Sequence, residues 1–166
     1  ASLTVAPAGV STIALNPATV AGGATSTATV TLTGPAPTGG QVVTLSSGNA
    51  AATVPANVTV AAGQTSATFT VTTVPVAAVT NAVITGTANG KAGSATLKIE
   101  IPTLSALAFN PTSVIGGTPA TGTVTLSSAA GPGGFVVNLA SSNTAAGTVP
   151  ATITVPAGAT TATFNL

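Results

Sequence analysis

The sequence contains no histidine, cysteine, methionine, tryptophan or tyrosine, and Lys91, Lys98 and Glu100 are its only charged side chains. Each absence removes a class of function. Without His or Cys and with a single carboxylate, a Ser-His-Asp triad, a carboxylate pair and a conventional metal cluster cannot be assembled. The Asp and Glu ligands of a calcium-braced linker are missing too. No catalytic, cofactor-binding or metal-binding residue is therefore expected, and the chain is read as not an enzyme.

Partners are narrowed in the same way. Two Lys and no Arg cannot neutralise a row of phosphates, so nucleic acid is excluded as a ligand. No apolar run approaches the roughly 18 residues of a membrane span, and an outer-membrane barrel would carry Trp and Tyr at its interfaces. The lack of Cys excludes a disulfide framework and leaves the redox compartment open. No secretory leader is visible, so the sequence is read as mature or as an excerpt. Soluble domains usually have about a quarter of their residues charged. Here Thr, Ser, Ala and Gly cover the surface instead, and a net charge of +1 removes the self-repulsion that keeps copies apart.

What the sequence does contain is an internal repeat. "NPATVAGGATSTATVTLTG" from Asn16 matches "NPTSVIGGTPATGTVTLSS" from Asn110 at an offset of 94 residues. "TVPANVTVAAGQTSATFTV" from Thr53 matches "TVPATITVPAGATTATFNL" from Thr148 at an offset of 95, so one residue is inserted between the blocks, near Gly147. Gaps, turns and apolar positions agree together, which implies that both copies share one fold.

Within a copy the hydrophobic period is two. Ala28, Val30 and Leu32 alternate with Thr, as a half-buried strand requires. Further strands are predicted at Val43 and Leu45, Val58 and Val60, Ala67 to Val71, Ala82 and Ile84, and Leu97 and Ile99. Clusters such as "GPAPTGG", "SSGNAA" and "ANGKAG" separate them. About seven short strands in 94 residues predict an all-β fold: two-sheet, antiparallel, immunoglobulin-like sandwiches in tandem. Val30, Leu32, Val43, Leu45, Phe69, Leu97 and Leu107 are the expected core of the complete domain.

"LNPATVAGG", "TVTLTGPAPTGGQVVTLSS" and "TVPANVTVAAGQTSATFTV" resemble the bacterial immunoglobulin-like modules found in tandem in large surface and secreted proteins. The resemblance covers nearly the whole chain. It implies an extracellular or cell-surface location and a role as stalk, spacer, adhesin or fibre subunit, with no catalytic residues to carry over.

The ends are offset from the repeat. "ASLTVAPAGVSTIALNP" at the start aligns with "ATLKIEIPTLSALAFNP" from Ala95. Residues 1–7 thus read as the final strand of a preceding repeat or as a donor strand carried by Ala1, Ser2, Leu3, Thr4 and Val5. Residues 8–101 read as one complete sandwich, and residues 102–166 as a second repeat without its last two strands. Two explanations arise: a window from a longer tandem array, or a subunit whose leading strand completes its neighbour and so builds a non-closing fibre. The first is preferred, because two strands are wanting and one is offered. Both end in a filament, sheath or adhesin stalk with homotypic contacts. A recognition module, carbohydrate-binding or virion-surface, is the alternative. The junction "KIEIPTLSALAF" is short and holds Pro102, which predicts little slack between copies.

Smaller features read plainly. Asn57 begins the one N-glycosylation sequon and is a candidate modification site, although Thr152 replaces it in the second copy. Ser and Thr are candidate carriers of O-linked sugars. Lys98 and Glu100 share a strand face, where a Lys-Asn crosslink is conceivable, but Thr4 and Ala6 replace them at the start of the chain, so a solvated pair is the reading. Gly39-Gly40 and Gly133-Gly134 read as turn glycines supplying positive φ. The Thr-x-Thr run from Thr25 to Thr33 reads as an ordinary polar strand face, since it occurs once per copy.

Overall fold

A computed structural model describes residues 7–166, and every regular element among them is a β-strand. Alternation of β-branched Thr and Val with small apolar residues suits a pleated, half-buried surface, and no stretch offers a helical stripe. The chain divides into two compact units, one of residues up to 20, 24–74 and 79–100, the other of residues 21–23, 75–78 and 101–166.

The first unit contains β1 (Val10–Asn16), β2 (Thr19–Ala21), β3 (Thr25–Leu32), β4 (Gln41–Ser47), β5 (Ala52–Thr53), β6 (Asn57–Val60), β7 (Ser66–Thr73), β8 (Thr80–Ala88) and β9 (Lys91–Glu100). One sheet has the order β1-β3-β7-β5 and the other β2-β9-β8-β4-β6. Together they form a β-sandwich of immunoglobulin type. Val30, Leu32, Val43, Leu45, Phe69 and Leu97 are buried between the sheets with Val60, Val71, Ile84 and Ile99. Ser26 is the one buried polar residue among those described, and its Oγ donates to the Pro17 carbonyl at 2.7 Å.

The second unit contains β10 (Leu104–Asn110), β11 (Thr121–Leu126), β12 (Phe135–Asn138), β13 (Thr152–Val155) and β14 (Thr161–Asn165), with sheets β10-β11-β14 and β12-β13. Its registers follow those of the first. Leu107 faces Val124 as Ile13 faces Val30, and Gly122 faces Phe164 as Ala28 faces Phe69. Val124, Leu126, Ala130, Val137, Val155 and Phe164 form its core.

The turn before β4 and that before β12 need glycine. Gly40 has φ 83° and Gly134 φ 79°, and a Cβ would lie 2.9 Å from the Val60 carbonyl oxygen in one case and 2.8 Å from that of Val155 in the other.

Leu107 departs from expectation. It belongs to β10 of the second unit, not to the first unit's core, and it is 46% exposed where its counterpart Ile13 is 7% exposed. The cause is cover. Ile13 reaches β8, its Cδ1 lying 3.0 Å from where a Cβ on Gly86 would stand, and β9 runs close beside β1 at Val10 and Thr12. Among the described residues no strand covers β10 in this way. The neighbouring sheet responds likewise. β4 extends to Ser47 because Thr44–Ser47 pair with β8, whereas β12 stops at Asn138.

Candidate functional site

The two units differ most where the chain leaves its first strand. In the first unit β1 ends at Asn16, the Asn16–Pro17 bond is cis, and the chain enters β2 through Ala18. There β9 closes the sheet. Lys98 N–H donates to the Ala18 carbonyl at 3.0 Å, and Leu97 and Ile99, one on each side of Lys98, are fully buried. Val20 is left only 6% exposed.

In the second unit β10 ends at Asn110, the Asn110–Pro111 bond is also cis, and Thr112, Ser113 and Val114 follow without forming a strand. Val114, the counterpart of Val20, is 45% exposed, and Ile115 beside it is 86% exposed. A groove of about 190 Å³ opens here, lined by Phe109, Pro111, Thr112, Ser113, Val114, Ala120 and Leu166. Its inner wall is firm, for the Phe109 ring meets Phe164 edge to face, with centroids 6.3 Å apart. No charged side chain lines it. An apolar trough beside free backbone is suited to an extended segment that alternates apolar and polar residues. It offers nothing to a reacting group.

The residues singled out from sequence are scattered relative to this groove. Asn57 is exposed on β6, an outer strand of its sheet, opposite Thr44. Lys98 Nζ and Glu100 Oε1 form an ion pair at 2.8 Å, open to solvent at 48% and 46%, with Asn81 across from Lys98 in the register. This is the setting of a solvated surface pair. Ala1, Ser2, Leu3, Thr4 and Val5 lie outside the described residues.

Two features escaped the sequence reading. The Thr run of β3 is not solitary in its sheet, because Thr25, Thr27 and Thr29 face Thr72, Thr70 and Thr68 of β7. In the second unit Thr123 and Thr125 face Thr163 and Thr161. The alternation in "SATFTVTT" was the available signal. Nothing in the repeat marks the groove itself, since Val114 stands where Val20 does and Phe109 where Leu15 does, apolar in both copies.

Neither a protein-family model nor a curated protein sequence matches the chain. Among solved structures it is similar to the D0-D1 domain of Intimin, at 15% identity and a TM-score of 0.47, over 95% of this chain and 84% of that one. A likeness this loose assigns neither family nor function.

Proposed function

We propose that the protein is a structural module of an extracellular filament, sheath or adhesin stalk at a bacterial cell surface, built from tandem immunoglobulin-like sandwiches with homotypic contacts. The observation that supports this best is the repetition of the sandwich, in which Leu107 faces Val124 as Ile13 faces Val30 and Gly122 faces Phe164 as Ala28 faces Phe69. The role is mechanical and non-catalytic. Force is borne by ladders of interstrand hydrogen bonds, and length grows by adding units that touch mainly their neighbours.

An uncharged surface favours this use. Unpaired strand edges on ordinary proteins are guarded by Lys and other charges, and here almost none are available. Copies meet without long-range repulsion, and Thr faces keep the polymer wet. Sugars on exposed Ser or Thr would add to that hydration.

The experiment is a concentration series of the purified chain by light scattering and electron microscopy. Regular end-to-end polymers with a spacing set by whole domains are expected. A monomer at every concentration, with no filaments, would remove the reading and favour a recognition module. The mass of the native polypeptide under denaturing conditions separates a covalent array from a non-covalent fibre.

A further inference from the structure

We infer that Asn89 is a site of covalent self-modification by deamidation, and that its side chain is a clasp between the two sheets of the first unit which that modification opens. The inference is independent of the assembly reading above.

Asn89 and Gly90 form the two-residue turn between β8 and β9, closed by the pair Ala88–Lys91. Their φ values of 50° and 73° are the positive ones that such a turn demands, and Asn is one of the few residues that accept them. The Asn89 amide is fully used. Its Nδ2 donates at 2.8 Å to the Ala8 carbonyl, just ahead of β1, and at 2.8 Å to Gln41 Oε1 at the start of β4. Chemistry fixes this orientation. A carbonyl only accepts, so the nitrogen of Asn89 must face Ala8. Gln41 Nε2 donates to the Val42 carbonyl at 2.8 Å, which leaves Gln41 Oε1 for Asn89. β1 is an edge strand of one sheet, whereas β4, β8 and β9 belong to the other. One side chain thus ties the hairpin tip across the sandwich, where Lys91 also packs so closely on Gly9 that a Cβ there would lie 2.8 Å from its own.

The same dipeptide is chemically labile, and it is the one Asn-Gly pair in the sequence. Glycine has no side chain to shield its nitrogen, so the Gly90 nitrogen can attack Asn89 Cγ. The N–Cγ bond forms, the Cγ–Nδ2 bond breaks, and ammonia leaves. Water then opens the cyclic imide to Asp or to its β-linked isomer. Either product ends the clasp. A carboxylate oxygen would stand against the Ala8 carbonyl, which has no proton to give, and the β-linked product adds a backbone atom to a two-residue turn. In the closed fold the turn holds the Asn89 backbone, and ammonia can leave only after two hydrogen bonds break. Modification is therefore gated by opening of the hairpin tip, and the modified fraction records how often this end of the sandwich has opened.

The test follows the full chain at mildly alkaline pH, folded and in urea, by peptide mass spectrometry across Asn89 and an assay for the β-linked product. Asn89 should deamidate in urea, and at least about tenfold more slowly in the folded chain. Gln41→Ala removes one acceptor and should speed the reaction in the folded chain while leaving the rate in urea unchanged. Circular dichroism checks that this variant folds; if it does not, Gln41→Thr, better suited to a strand, takes its place. Asn89→Asp should melt below the wild type, and Asn89→Gly, which keeps the positive φ and brings no carboxylate, should lose less. An Asn89 that stays intact in urea would overturn the modification site. A folded chain that deamidates as fast as the unfolded one, a folded Gln41 variant with the wild-type rate, or Asn89→Asp melting with the wild type would each overturn the clasp.

Discussion

Phe109 and Phe164 meet edge to face at 88° across Gly122, which sits between them in the register of β10, β11 and β14. A Cβ on Gly122 would overlap the Phe164 ring. The first unit solves the same position with Leu15, Ala28 and Phe69. Replacing Gly122 with Ala should therefore destabilise the second unit by about 1–3 kcal/mol. The double change Phe109→Leu, Gly122→Ala copies the first unit and should recover most of the loss. Chemical denaturation of the single and double variants measures the coupling, and simple additivity would disprove it.

Phe69 is buried between the sheets of the first unit. Its truncation to Ala should cost about 3–5 kcal/mol, the usual range for an aromatic removed from a packed core. Scanning calorimetry on the whole chain is the measurement, and a negligible change would refute the packing described.

Gly40 and Gly134 should resist substitution for two reasons acting together, a positive φ and a carbonyl oxygen in the place of the new methyl. Gly40→Ala and Gly134→Ala should each cost more than about 1 kcal/mol. Gly63 has a similar φ but open space around it, so Gly63→Ala should cost less. Equal losses at all three positions would show that φ alone decides.

The Lys98–Glu100 pair should matter little. Both side chains are about half exposed, and exposed pairs contribute about 0.2–1 kcal/mol. Glu100→Gln should leave the melting temperature nearly unchanged, and unfolding of the wild type should depend only weakly on added salt. A large shift in either experiment would reveal a role for the pair beyond a surface contact.

Period-two alternation made the inner strands legible, because a strand buried on one face repeats its apolar residues with the pleat. Val30, Val43, Phe69 and Leu97 could be assigned to the inside without a structure for that reason. Leu107 could not be assigned correctly. Its own pattern is as apolar as that of Ile13, and what separates them is the strand laid over each, which local sequence does not encode. β2 was missed because three residues carry no period, and its state depends on β9 beside it. The groove was hidden for the same reason: it is defined by what is not packed on Val114, while the residues that line it look like core.

The small number of cationic side chains has a consequence for durability. A protease that cuts after Lys or Arg finds two bonds in the whole sequence, Lys91–Ala92 and Lys98–Ile99. Both lie in β9, where Ala92 faces Thr87 and Ile99 faces Thr80 across the ladder with β8. Cleavage requires an extended segment released from its neighbours, so the sheet would have to open before the enzyme could bind. Enzymes of the trypsin class are thus denied substrate twice, by composition and by hydrogen bonding.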